Sequence, residues 1–232
     1  MSETERPFRR SEAFFGRRKT RGLSDRKSEL SQTLLPELLI DLAEPIADPR
    51  ALFRREVREV HVEIGFGGGE HLLHRVVNEP DVGFIGVEPF VNGLAKLLSS
   101  AAGRDLSNLR LYDEDAVELL DALPTGSAHR IDLLYPDPWP KRKHWKRRFV
   151  NERNMERIVR ALAPGGEFRF ASDITSYVDW TLLHTRANGQ LEWLATRSTD
   201  WLEPWEGWIR TRYEAKAVRE GRAPCYLHFR RT

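Results

Sequence analysis

From residue 59 onward the chain alternates between two hydrophobic periods. EVHVEIG (59–65) reads as a buried strand running into a glycine-rich loop, and GEHLLHRVVNEP (69–80) as a helix closed by Pro80. VGFIGVEPF (82–90) is a second strand that ends at Glu88. In the helix that follows, Leu94, Leu97, Leu98 and Ala101 make an i, i+3, i+4, i+7 stripe. NLRLYDED (108–115) and RIDLLYPD (130–137) are read as the third and fourth strands, with the helix AVELLDAL (116–123) between them. Three prolines within five residues forbid a ladder or helix in PDPWPKRKHWKRR (136–148), which is read as a loop. A helix with Met155, Ile158, Val159 and Leu162 on one face is broken by APGG, and the strand EFRFAS (167–172) follows. SYVDWTLLHTRA (176–187) reads as a helix, and QLEWLATR (190–197) and CYLHFRR (225–231) as strands. This alternation predicts an α/β fold: a mostly parallel seven-stranded sheet with helices on both faces and ligands at the carboxyl ends of the strands.

A chain of 232 residues and 26.9 kDa fits one globular domain, expected over residues 29–232. No apolar run approaches the roughly 18 residues of a membrane span, and the start lacks the apolar stretch of a secretory signal, so a cytoplasmic protein is expected. The only cysteine is Cys225, which rules out an intramolecular disulfide and a cysteine-based zinc site. The net charge of +2 hides an uneven distribution. Residues 1–28 hold nine Arg/Lys against four Asp/Glu and lack hydrophobic periodicity, so they read as a disordered basic tail, with order beginning near Leu34. The octet KRKHWKRR (141–148) holds six more cations, and the rest of the chain is acidic. Two basic islands on an acidic body point to a polyanionic partner.

Glu63, Gly65, Gly67, Gly68 and Gly69 stand at the end of the first strand, and Glu88 lies 23 residues beyond Gly65 at the end of the second. Glycines there let the backbone approach a ligand, and an acid after the second strand accepts from ribose hydroxyls. A dinucleotide oxidoreductase would offer the same pair, but position 70 is Glu where G-x-G-x-x-G needs glycine. Glu63 would also repel a pyrophosphate. A ligand with cationic groups fits better, and S-adenosylmethionine carries an ammonium, a sulfonium and two ribose hydroxyls. Asp115, after the third strand, is placed to accept from its adenine amino group.

Together with the loop Tyr135-Pro136-Asp137-Pro138-Trp139-Pro140-Lys141, the motifs EIGFGGGE, GVE, EDAVE, ASD and TRYE occur in an order that resembles the bacterial tRNA guanine-N7 methyltransferase family, single-subunit TrmB type. The resemblance runs from about residue 59 to the C-terminus. It implies a Rossmann-like class I methyltransferase fold, S-adenosylmethionine as cofactor, and tRNA (guanine(46)-N7) methylation in the variable loop. Glu63, Gly65, Gly67, Glu88, Asp115 and Asp137 would contact the cofactor, with Asp137 also catalytic. Lys141, Asp173, Thr211, Arg212, Tyr213 and Glu214 match substrate-binding positions. Lys143, His144, Trp145, Lys146, Arg147 and Arg148 match the segment thought to touch RNA. Pro140 departs from a common polar residue, and Arg212 with Tyr213 from the more usual Lys and Phe. The implied protein is a monomer or homodimer with no obligatory protein partner.

The residues support that chemistry on their own terms. Guanine N7 has an in-plane lone pair and no proton to lose, so the reaction needs positioning more than a base. One carboxylate can accept from guanine N1–H and the 2-amino group together, which makes Asp137 an orienter. The cationic octet can anchor phosphates, and Trp139 and Trp145 can stack on bases, whereas Trp193, Trp201, Trp205 and Trp208 are expected to pack. His71 and His74 are the only weak approach to metal-ligand spacing, and no metal is expected. Two rivals remain: an amino-group methyltransferase, whose loop after the fourth strand reads Asn/Asp-Pro-Pro-aromatic, and an RNA-binding module without catalysis.

Overall fold

The computed structural model describes Arg18 and residues 22–232, so most of the expected tail lies outside the described residues. Seven strands form one sheet: β1 (Glu59–Ile64), β2 (Val82–Val87), β3 (Leu109–Tyr112), β4 (Ala128–Leu134), β5 (Leu162–Ser172), β6 (Leu191–Trp193) and β7 (Cys225–Arg231). Their order is β3-β2-β1-β4-β5-β7-β6, and only β7 runs antiparallel to its neighbours β5 and β6. The order reverses between β1 and β4, which opens a crevice at their carboxyl ends.

Both faces of this sheet are buried: β2 (VGFIGV) is apolar throughout, whereas β1 and β4 also bury polar residues, among them His61, Glu63 and Asp132. On one face, Phe84 of β2 and Leu109 and Leu111 of β3 pack with Leu72 and Val76 of α3 (Glu70–Asn78) and with Leu94, Leu97, Leu98 and Ala101 of α4 (Val91–Ala101). On the other, Val60, Val62 and Ile64 of β1 pack with α5 (Ala116–Ala122), with Met155, Ile158 and Val159 of α6 (Glu152–Ala161), and with Tyr177 and Val178 of α7 (Thr175–Asn188). Side-chain alternation sends neighbouring residues of one strand into opposite layers, which decides where each candidate acid points.

Four details differ from the sequence reading. Order begins before Leu34, because α1 (Asp25–Thr33) is helical and Leu30 and Leu34 pack against the α3/α4 core ahead of α2 (Leu35–Leu38). Arg18, inside the segment read as tail, pairs with Glu114 at 2.7 Å. The cationic octet is a 3-10 helix over Arg142–Arg147 rather than loop, since the last proline is Pro140 and His144 N–H donates to the Lys141 carbonyl at 2.7 Å. β5 begins at Leu162 and takes in the APGG segment, while β6 is only three residues long. Beyond β6, α8 (Thr199–Leu202) and α9 (Arg212–Arg219) lead into β7.

Candidate active site

A cavity of about 860 Å³ opens at the carboxyl ends of the central strands, walled by Gly65, Glu88, Phe90, Asp115, Asp137 and Tyr213 among others. Gly65, Gly67 and Gly69 adopt φ of 72°, 58° and 72°, a left-handed backbone that L side chains rarely adopt, and this carries the chain from β1 into α3. The Tyr213 ring lies 3.0 Å from where a Cβ on Gly67 would stand, so a side chain at residue 67 would press on Tyr213 where the loop meets α9.

Glu88 braces the loop from the neighbouring strand. Its carboxylate accepts from Gly67 N–H at 2.6 Å and from Phe90 N–H at 3.0 Å, and only 7% of the residue is exposed. Among the described residues it forms no ion pair. Burial pushes its carboxyl up to about 7 against the pull of the two amides, and the charge of Asp137 pushes the same way. A carboxylate so placed feels only the more distant charge of Arg212 in its favour and retains acceptor capacity, so a ligand bringing hydroxyl donors and positive charge fits it. Asp115 caps α5, accepting from Val117 N–H at 3.0 Å, and lines the same wall with Pro89, Phe90 and Val117. The apolar groups suit a planar base. S-adenosylmethionine therefore fits the residues present.

Glu63 departs from the expected acid wall. Alternation along β1 sends Ile64 to the cavity and Glu63 to the opposite face, where it is buried against His71 Nδ1 at 2.7 Å. The His71 ring packs on Trp208, with centroids 5.0 Å apart.

Asp137 is exposed at the cavity mouth, on a segment bounded by two non-glycine residues with positive φ, Tyr135 at 50° and Trp139 at 43°. Such backbone is sparsely populated outside glycine and persists where surrounding contacts impose it. Lys146 and Arg147 reach this cavity, and the Arg147 guanidinium lies 4.9 Å over the Trp139 ring. Lys141 and Lys143 are exposed beside it, with His144 half-buried. Trp145 packs edge-on against Trp180 at 5.7 Å. Arg148 contradicts its reading as an RNA contact: it is 1% exposed and turned into the protein.

The remaining candidates divide the same way. Tyr213 and Arg212 are exposed and hydrogen-bonded to each other at 2.9 Å, whereas Thr211 caps α9 through Glu214 N–H at 3.2 Å. Glu214 is buried, accepting from Trp208 Nε1–H at 2.7 Å and the Tyr226 hydroxyl at 2.8 Å, so it anchors α9 and does not face the cavity. Asp173 is paired with Arg222. Phe90, Asn151, Arg153 and Asn154 also line the cavity and were not singled out in the sequence. For the last three, the only local signal is a polar helix start directly after the octet. Among the described residues no cluster of His, Cys, Asp and Glu forms a metal site, and no helix is long and apolar enough to cross a membrane.

A family model described as a putative methyltransferase matches residues 57–227. A tRNA (guanine-N(7)-)-methyltransferase of Rhizobium meliloti (strain 1021) is 58% identical over 232 residues, covering 100% of both chains. Proteins of the same description from Mesorhizobium japonicum and Agrobacterium fabrum are 56% and 57% identical, covering 99% and 97% of both chains. Among solved structures, the 16S rRNA methyltransferase KamB superposes with a TM-score of 0.56 at 16% identity, over 77% of this chain and 90% of that one. The aminoglycoside resistance methyltransferase NpmB1 gives 0.53 at 18%, with the same coverage, a likeness of fold alone. Full-length identity at this level, on a methyltransferase sheet that opens beside the PDPW loop, makes the chain a member of the bacterial tRNA (guanine-N7)-methyltransferase family.

Proposed function

We propose that this protein transfers a methyl group from S-adenosylmethionine to N7 of guanine 46 in the variable loop of tRNA. The observation that carries the reading is the placement of Asp137 and Glu88 on one cavity, under full-length similarity to proteins of that description. When bound, the cofactor supplies an electrophilic methyl group on a sulfonium. The chain's own residues do the rest. Glu88 accepts from the ribose hydroxyls while its contacts to Gly67 and Phe90 hold the loop in shape. Asp115, with the apolar wall around Val117, receives the adenine.

Asp137 accepts from N1–H and the 2-amino group of the target guanine and so directs N7 into the cavity. Adenine has an acceptor at N1 and is rejected. No proton leaves N7, so Asp137 orients and does not act as a base. Lys141, Lys143, Lys146 and Arg147 hold phosphates around the mouth, and Arg212 and Tyr213 close the opposite rim. Glu63 serves the cofactor indirectly, by fixing the first turn of α3 through His71. The chain from α1 onward acts as one catalytic domain in the cytoplasm, as a monomer or homodimer without an obligatory protein partner.

The test is a tRNA transcript in which guanine 46 is replaced by 7-deazaguanine, which keeps the Watson–Crick edge and loses N7. Methyl transfer should vanish while tRNA binding persists. Continued transfer to the substituted tRNA would refute the assignment of both atom and position.

A further inference from the structure

Arg148 closes the cationic octet, yet it ranks among the largest side chains fully withdrawn from solvent. Among the described residues no carboxylate pairs with it. Its Nε–H donates to the Pro138 carbonyl at 3.1 Å, one terminal nitrogen to the Ser176 carbonyl at 2.7 Å, and the other to Ser176 Oγ at 3.0 Å. Three aromatic rings surround the guanidinium, with centroids at 4.5 Å for Trp145, 4.7 Å for Tyr177 and 5.7 Å for Trp180. The box is itself pinned: Trp180 Nε1–H donates to the Val150 carbonyl at 2.6 Å, and Val150 N–H to the Tyr177 hydroxyl at 3.3 Å.

Burying a cation without a counter-ion is unfavourable, and an apolar side chain of similar volume would fill the space more cheaply. What an apolar side chain cannot do is reach two backbone carbonyls at once. One of these belongs to Pro138, between Asp137 and Trp139, inside the segment whose ends hold φ of 50° and 43°. The other belongs to Ser176 in the first turn of α7, an element fixed by the sheet core. The guanidinium thus ties the strained segment to the rigid body at Pro138, adjacent to the residue that must aim at guanine.

We propose that Arg148 is a positioning residue, holding the Pro138 carbonyl against α7 and thereby setting the direction of the Asp137 carboxylate. This rests on the role of Asp137 proposed above. Arg148→Met and Arg148→Lys should each lower the single-turnover rate at saturating cofactor and tRNA by tenfold or more. The tRNA affinity, its salt slope and the cofactor Kd should stay within about twofold of the parent, because the guanidinium, although at the cavity wall, is withdrawn from solvent and gives its hydrogen bonds to Pro138 and Ser176. Lysine keeps the charge and length but offers one donor centre to a site with separated acceptors, so it carries the test should the methionine variant not fold.

Combined with Asp137→Asn, either substitution should give little further loss, since both act through one carboxylate. A normal single-turnover rate with weakened tRNA binding and a shallower salt slope would make Arg148 a phosphate contact and overturn the proposal. Multiplicative losses in the double variant, with Asp137→Asn itself impaired, would overturn the positioning role alone. Full activity of Asp137→Asn by itself would instead remove the assignment of Asp137, and the role of Arg148 with it.

Discussion

Replacing Glu88 by Gln probes the cofactor wall where the structure is most demanding. The native carboxylate serves two amides, at 2.6 Å from Gly67 and 3.0 Å from Phe90, and is assigned to the ribose hydroxyls as well. Gln retains the shape but turns one acceptor into a donor that must face an N–H or a hydroxyl. Losing charge-assisted hydrogen bonds of this kind costs about 1.5–3 kcal/mol, so the cofactor Kd at pH 8 should rise roughly tenfold to more than a hundredfold.

The pH dependence sharpens this test. With its carboxyl near 7 in the cofactor-free fold, Glu88 is ionised only above that pH, and a ligand that requires the carboxylate binds more weakly as pH falls. Between pH 8 and pH 6 the parent Kd should rise about tenfold, as expected for one proton competing with the ligand. The sign for stability is opposite: the folded value lies above the ordinary 4.5, so the cofactor-free protein loses stability as pH rises from there through 7. Titration calorimetry over pH 6–8 on both proteins separates the effect from titration of the ligand itself, which both share. A Glu88→Gln Kd within twofold of the parent at pH 8, or the same pH slope in both proteins, would refute the placement of the ribose on Glu88.

Three further outcomes follow from the same geometry. Lys143→Ala with Lys146→Ala should flatten the salt dependence of tRNA binding by about 0.7–0.9 log units per log salt for each phosphate that is no longer neutralised, measured by filter binding, with cofactor affinity retained. Gly93→Ala, a change that ordinarily strengthens a helix by about 1 kcal/mol, should here lower the melting temperature and weaken cofactor binding, because its Cβ would lie 2.4 Å from the Gly67 carbonyl oxygen. Asp137→Asn should depress the single-turnover rate at saturating cofactor and tRNA, and the parent rate should show no essential ionisation rising with pH; a near-parental rate would move the catalytic assignment to another residue.

The sheet was legible in the sequence because β1, β2 and β3 are short strands each followed directly by glycine or an acid, and the stripe of Leu94, Leu97, Leu98 and Ala101 is fully realised in α4. Glu63 was harder to place. EVHVEIG alternates polar and apolar positions and so puts Glu63 with His61 on the face opposite Ile64, but nothing in it says which of the two faces meets the cavity. Arg148 was hidden by a different cause: in a run of cations, composition cannot say which one turns inward. The 3-10 turn resolves it, since residues three apart stack and Arg148 falls over Trp145. α9 escaped notice because its buried positions are only Glu214 and Ala217, too few apolar residues for a stripe. The PDPW loop was legible as the site of chemistry, whereas the positive φ at Tyr135 and Trp139 that shapes it was not, since neither residue type favours that backbone.

Methyl transfer from labelled S-adenosylmethionine to unmodified tRNA, followed by nucleoside analysis and mapping of the labelled position, decides which base and which atom this site methylates. The label should appear in 7-methylguanosine at position 46 of the variable loop. Label in a methylated adenosine or cytidine, or in guanosine at an exocyclic nitrogen, would contradict it.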